Sequence, residues 1–66
     1  MSLSPSRYQV YVDGKPHSEH VGLMAACATA RTEAHARPGQ RFRIAHDGVE
    51  MARYHVAGGK LVAWMR

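Results

Sequence analysis

The residues able to do chemistry in this chain are five histidines, one cysteine and a cluster of arginines near the C-terminal end. His17 and His20 form the one close histidine pair. They fall on a segment with strand composition, where positions i and i+3 face opposite sides. With no second pair nearby, the spacing does not match a zinc site, and no metal or other cofactor is expected. Cys27 has the makings of a nucleophile beside a histidine. It falls, however, on the inward stripe of a helix, where cysteine acts as a small buried hydrophobe. Asp13 and Asp47 each precede a glycine, and turn formation accounts for both. No Gly-rich phosphate loop, Walker motif or HExxH occurs. A domain of this size also leaves little room for a substrate pocket, which usually needs ~300 Å³ or more. The expectation is a binding protein, not an enzyme.

The arginines point the same way. The formal net charge is +4, and all of the excess lies from Arg37 onward, where six cations face two anions. Seven of the nine basic residues are arginine, whose planar fork suits carboxylates and phosphates. Arg41 and Arg43 alternate with Phe42 and Ile44, so they share one face of a strand. Arg53 and His55 alternate likewise with Ala52, Tyr54 and Val56. Arg41, Arg43, Arg53 and His55, with Trp64, form the densest candidate surface. Arginine with tryptophan or tyrosine is the composition of interface hot spots. The same set suits phosphate contact and base stacking, so direct nucleic-acid binding is the alternative reading.

These residues must be positioned by a small α+β scaffold. Arg7 to Val12 alternates with period two and is aromatic and β-branched. Tyr8, Val10 and Val12 share one face, and Tyr11 takes the other. Asp13-Gly14 is a strong hairpin signal. Lys15 to about His20 is the return strand, and Pro16, lacking an amide donor, places it at a sheet edge. Gly22 to Ala36 contains six alanines and reads as a helix. Its stripe of Leu23, Ala26, Cys27, Ala30 and Ala34 is small enough to sit close against a sheet. Pro38-Gly39 ends it. Strands follow over residues 40–46, 49–56 and 60–65, giving the order β-β-α-β-β-β. The expected organisation is a frayed tail over residues 1–6 and one domain over residues 7–66.

Register decides which side chains reach the outer face, since a one-residue slip exchanges the faces. A two-residue Asp47-Gly48 loop pairs Ile44 with Met51 and Phe42 with Arg53, which sets Arg53 on the core side. A three-residue loop with Gly48 in a left-handed bulge pairs Ile44 with Ala52 and Phe42 with Tyr54. That arrangement keeps Arg53 in solvent and avoids burying an unpaired guanidinium, so it is the register expected. For the final hairpin, a two-residue Gly58-Gly59 loop sets Trp64 outward, opposite Arg53. A three-residue loop sends it to the core, the location that tryptophan's usual burial favours.

Sixty-six residues bury only about 60% of the unfolded surface. One cysteine provides no internal disulfide, so tight packing or self-association must supply the balance. An exposed edge strand makes a homodimer a further expectation. No apolar run approaches the ~20 residues of a membrane span, and the first residues lack the character of a signal peptide. The cytoplasm is the expected location.

The stretch Arg43-Ile44-x-x-x-Gly48, then Ala52-x-Tyr54, then Gly59-Lys60, resembles the close of small phage type I-F anti-CRISPR proteins. That resemblance implies a curled antiparallel sheet around one helix. It also implies docking on the Cas7-type backbone subunits of a host CRISPR surveillance complex, with target DNA pairing blocked. Lys60 and the Arg43 strand are the positions that match, which adds Lys60 to the candidate contacts. From Tyr8 to Trp64 the chain also resembles small uncharacterised bacterial ββαβββ modules. The shared elements there are turns, an alanine stripe and strand alternation.

Overall fold

The computed structural model describes residues 7–66; the frayed tail expected over residues 1–6 lies outside the described residues. Three hairpin turns set the sheet. Asp13 and Gly14 have φ of 49° and 83°, Asp47 and Gly48 52° and 77°, and Gly58 and Gly59 59° and 77°. Positive φ at both central residues is the signature of the two-residue type I′ turn, whose twist matches that of the flanking strands. Asparagine-like Asp and Gly tolerate that backbone with little strain.

The elements are β1 (Tyr8–Val12), β2 (Lys15–His20), α1 (Leu23–Ala36), β3 (Phe42–His46), β4 (Val49–Ala57) and β5 (Lys60–Met65). They build the α+β arrangement expected, with one helix on a five-stranded antiparallel sheet of order β2-β1-β3-β4-β5. β2, which carries Pro16, lies at an edge.

The β3–β4 pairing is the one that keeps Arg53 outward: Ile44 opposes Ala52 and Phe42 opposes Tyr54. Its origin differs from expectation. His46 opposes Val49, so the Asp47-Gly48 loop has two residues, not three. The extra residue is Met51, a β-bulge within β4, because Ala45 opposes Glu50 while Ile44 opposes Ala52. The first hairpin repeats the device. Tyr11 opposes Pro16 and Val10 opposes Ser18, leaving His17 as the extra residue. Each Asp-Gly turn is thus followed by a bulge three residues beyond its glycine.

α1 begins at Gly22, whose carbonyl accepts from the Ala26 amide, and ends where the Arg37 amide donates to the Glu33 carbonyl. Past it, the Gly39 amide donates to the Val56 carbonyl, tying the helix exit to β4. Ala26, Cys27, Ala30 and Ala34 are buried and Leu23 packs beside them, so the alanine stripe faces the sheet. Against it lie Val10, Phe42, Ile44, Ala52, Tyr54 and Val56. The bulged His17 ring reaches α1, with Nε2 3.5 Å from Glu33 Oε1, which also pairs with Arg37 Nε at 3.4 Å. The Ser18 hydroxyl is hydrogen-bonded to His17 Nδ1 and His20 Nε2, both at 3.0 Å.

Tyr54 brings a phenol into the core, where its hydroxyl donates to Met65 Sδ at 3.2 Å. Burial first, and then the neighbouring Cys27 thiol, push this phenol above its ordinary value of 10.0, against a smaller downward pull from Arg31. In the unfolded chain the phenol ionises at the ordinary value. Its contribution to stability is therefore fully present below about pH 10 and is lost as pH rises through the native value. Urea unfolding followed above pH 10 should show falling stability, and Tyr54→Phe should make that fall shallower. An unchanged alkaline slope in Tyr54→Phe rules this out.

Candidate binding face

The face away from the helix carries a row of side chains set by pairing across four adjacent strands. Tyr11 opposes Arg43, Arg43 opposes Arg53, and Arg53 opposes Trp64. Each guanidinium lies against an aromatic ring. Arg43 Cζ is 4.8 Å from the Tyr11 ring centroid, and Arg53 Cζ is 4.7 Å from that of Trp64. Stacking of this kind holds a long, flexible side chain in place while leaving its N–H edges available.

Two cations directly opposite one another repel. Glu50 offsets this, its Oε2 lying 2.9 Å from Arg53 Nε. In a regular strand residues 50 and 53 would face opposite sides. The Met51 bulge restores them to one face by adding a residue between them. The irregularity that keeps Arg53 out of the core therefore also brings its counter-ion to it.

Arg41 lies at the entrance to β3. Its amide donates to Asp13 Oδ1 at 2.9 Å, and the Asp13 amide donates to the Arg41 carbonyl at 2.8 Å. This reciprocal pair clasps the first hairpin turn to β3. His55 opposes Val62 one step further along the same face.

Together these side chains line a shallow hollow of about 580 Å³ that includes Arg41, Arg43, Arg53, His55, Val62 and Trp64, with Asp13 and Glu50 at its margins. The expectation that the domain lacked room for a concave surface is corrected. The long side chains standing on the sheet build walls that helix–sheet packing alone does not.

Five of the six residues singled out from sequence therefore line one hollow. Lys60 does not: it opposes Ala57 at the tip of the last hairpin, outside the lining. Trp64 is corrected from the core location that its usual burial favoured. The two-residue Gly58-Gly59 turn pairs Val56 with Leu61 and Tyr54 with Ala63, which sends Trp64 outward. It remains 41% exposed, and α1 barely reaches β5 to cover anything there. Tyr11, Glu50 and Val62 were not singled out. Alternation placed Tyr11 away from the core, but its proximity to Arg43 depends on β1 and β3 being neighbours, a fact of strand order.

Among the described residues no group of three or more His, Cys, Asp and Glu side chains converges on a metal-sized site. The series Glu33–His17–Ser18–His20 has an acid, an imidazole and a hydroxyl in sequence. The Ser18 hydroxyl is held between two rings and Glu33 is shared with Arg37, so the series acts as a fastener between β2 and α1. No described helix is long and apolar enough to cross a membrane. No protein-family model, curated protein or solved structure matches this chain.

Proposed function

We propose that this protein is a non-catalytic binding domain that docks a macromolecular partner through the outer face of its sheet. The observation that carries the reading is the Tyr11–Arg43–Arg53–Trp64 row, with two guanidinium groups held on aromatic rings over a shared hollow. Such a surface offers fixed donors to carboxylates or phosphates and apolar contact from Trp64 and Val62, the mixture typical of interface hot spots. The partner we propose is a host nucleoprotein assembly, the Cas7-type backbone of a CRISPR surveillance complex, met in the host cytoplasm. Support for that identity is the resemblance of the Arg43–Lys60 stretch to phage inhibitors.

The test uses a purified type I-F surveillance complex. Wild-type protein should co-elute with it and suppress target DNA binding. Arg43→Glu and Trp64→Ala should each weaken the interaction by about 30-fold or more, as loss of a ~2 kcal/mol hot spot requires. Absence of co-elution removes the proposed partner, and wild-type affinity in both variants removes the proposed face.

A second reading has its own support: Trp64 and Tyr11 flank the arginines as stacking platforms would in a single-strand binder. In that case the chain alone shifts a labelled oligonucleotide, and affinity drops steeply between 50 and 200 mM salt. No binding at 50 mM salt excludes it.

A further inference from the structure

The two edges of the sheet are unlike. β2 is guarded by Pro16, the His17 bulge and the charges of Lys15 and Glu19, all features that block pairing with another strand. β5 has none of these after Lys60: Leu61, Val62, Ala63, Trp64 and Met65 run on without charge, proline or bulge. We propose that β5 pairs antiparallel with β5 of a second copy, about a two-fold axis through Ala63.

The pairing of β5 with β4 dictates which of its backbone groups are left over. Lys60 opposes Ala57 across a two-residue turn, a position that is hydrogen-bonded within the hairpin. At the other end the Arg66 amide donates to the Met51 carbonyl. Lys60, Val62, Trp64 and Arg66 therefore turn their amides toward β4, and Leu61, Ala63 and Met65 turn theirs outward.

Symmetry narrows the register. Residues directly opposite in a sheet share a face, and a two-fold axis normal to the sheet preserves faces. The axis must then pass beside a residue that opposes its own copy. Centred on Ala63, the pairing sets Leu61 against Met65 and Val62 against Trp64 of the other copy. Ala63 opposes Ala63, and every outward amide finds a carbonyl, giving about six main-chain hydrogen bonds.

Side chains favour the same contact. Val62, Trp64 and Met65 are 46%, 41% and 50% exposed, and Met24, lining a hollow with Met65 on the helix side, is 86% exposed. Val62 and Trp64 flank the edge on the outer face and Met65 and Met24 on the helix face, with open apolar surface on the order of 400 Å² per copy summed over both faces. Two copies with their strand backbones reach the ~1,000 Å² that a specific interface needs. The core is correspondingly thin: four of its ten residues are alanine. Pairing through β5 leaves both outer hollows on one side of a continuous sheet. Their Arg53 residues lie roughly 15 Å apart, three strand spacings, so a repetitive partner meets two sites at once. The dimer does not depend on what the outer face binds.

Sedimentation equilibrium of the wild-type chain across a range of concentrations should give the mass of two chains at the upper end. Ala63→Pro removes an outward amide that the single chain does not use, so a folded monomer is expected. Ala63→Cys should cross-link on oxidation, because its Cα would lie about 5.5 Å from its copy. Val62→Cys should not, being about 8 Å or more from its own copy, beyond disulfide reach. A monomer mass at every concentration overturns the proposal. So does cross-linking at Val62 in place of Ala63, which also decides the matter if the proline variant fails to fold.

Discussion

Phe42→Ala should leave the chain largely unfolded at 25 °C. Phe42 is the largest of the fully buried side chains. It stands between Val12 on β1 and Tyr54 on β4, at the centre of the sheet, on the face that packs against α1. Truncating a buried phenylalanine costs about 3–5 kcal/mol, combining lost transfer energy with an unfilled cavity. Stability of ~0.05–0.15 kcal/mol per residue amounts to only about 3–10 kcal/mol for a chain of this size. A core rich in alanine has few large neighbours able to collapse into the gap. Far-ultraviolet circular dichroism during urea titration measures this directly. A midpoint within about 0.5 M of wild type, for an m-value near 1 kcal/mol/M, would mean that Phe42 is not central to the core.

The second large effect comes from adding volume. Ala30→Leu should destabilise the protein by about 1–3 kcal/mol, the usual cost of overpacking, even though leucine and alanine have similar helix propensity. Ala30 is completely buried between Ala26 and Ala34, and these methyl groups let α1 lie close to β3 and β4. A leucine there must displace the helix or adopt a strained rotamer. Ala28→Leu, on the exposed side of the same helix, is the control and should change stability by less than about 0.5 kcal/mol. Equal midpoints for the two variants would show that the alanine stripe does not set the helix–sheet distance.

Much of the architecture is carried by local chemistry. Asp13-Gly14, Asp47-Gly48 and Gly58-Gly59 specify turns because few other residue pairs accept positive φ twice in succession. The alanine stripe identifies the buried side of α1 because a 3.6-residue period is unambiguous over fourteen residues. Alternation around Phe42, Ile44, Tyr54 and Val56 separates the core from the outer face in the same way.

Two features of the candidate site were open to misreading for a common reason. The bulge at Met51 and a bulge at Gly48 produce the same pairing of Ile44 with Ala52, so an argument from Arg53 burial selects the pairing without locating the irregularity. Only the location at Met51, with a tight two-residue turn, also sets Glu50 opposite Ala45 and beside Arg53. Trp64 was open because general burial preference conflicts with turn geometry. Turn geometry prevails because β5 is an edge strand that α1 only just reaches, so the helix side of β5 offers the indole little cover.

The arginine cluster that first suggested chemistry is thus determined by sequence up to a point. Residue types, turn positions and strand alternation establish that Arg41, Arg43, Arg53 and His55 share a face. Tertiary structure alone decides what lies beside them. Strand order brings Tyr11 to Arg43, edge position leaves Trp64 free to cover Arg53, and a one-residue bulge delivers Glu50. Alternation is a short-range property of the chain. Adjacency across a sheet depends on contacts between segments distant in sequence, which no local pattern encodes.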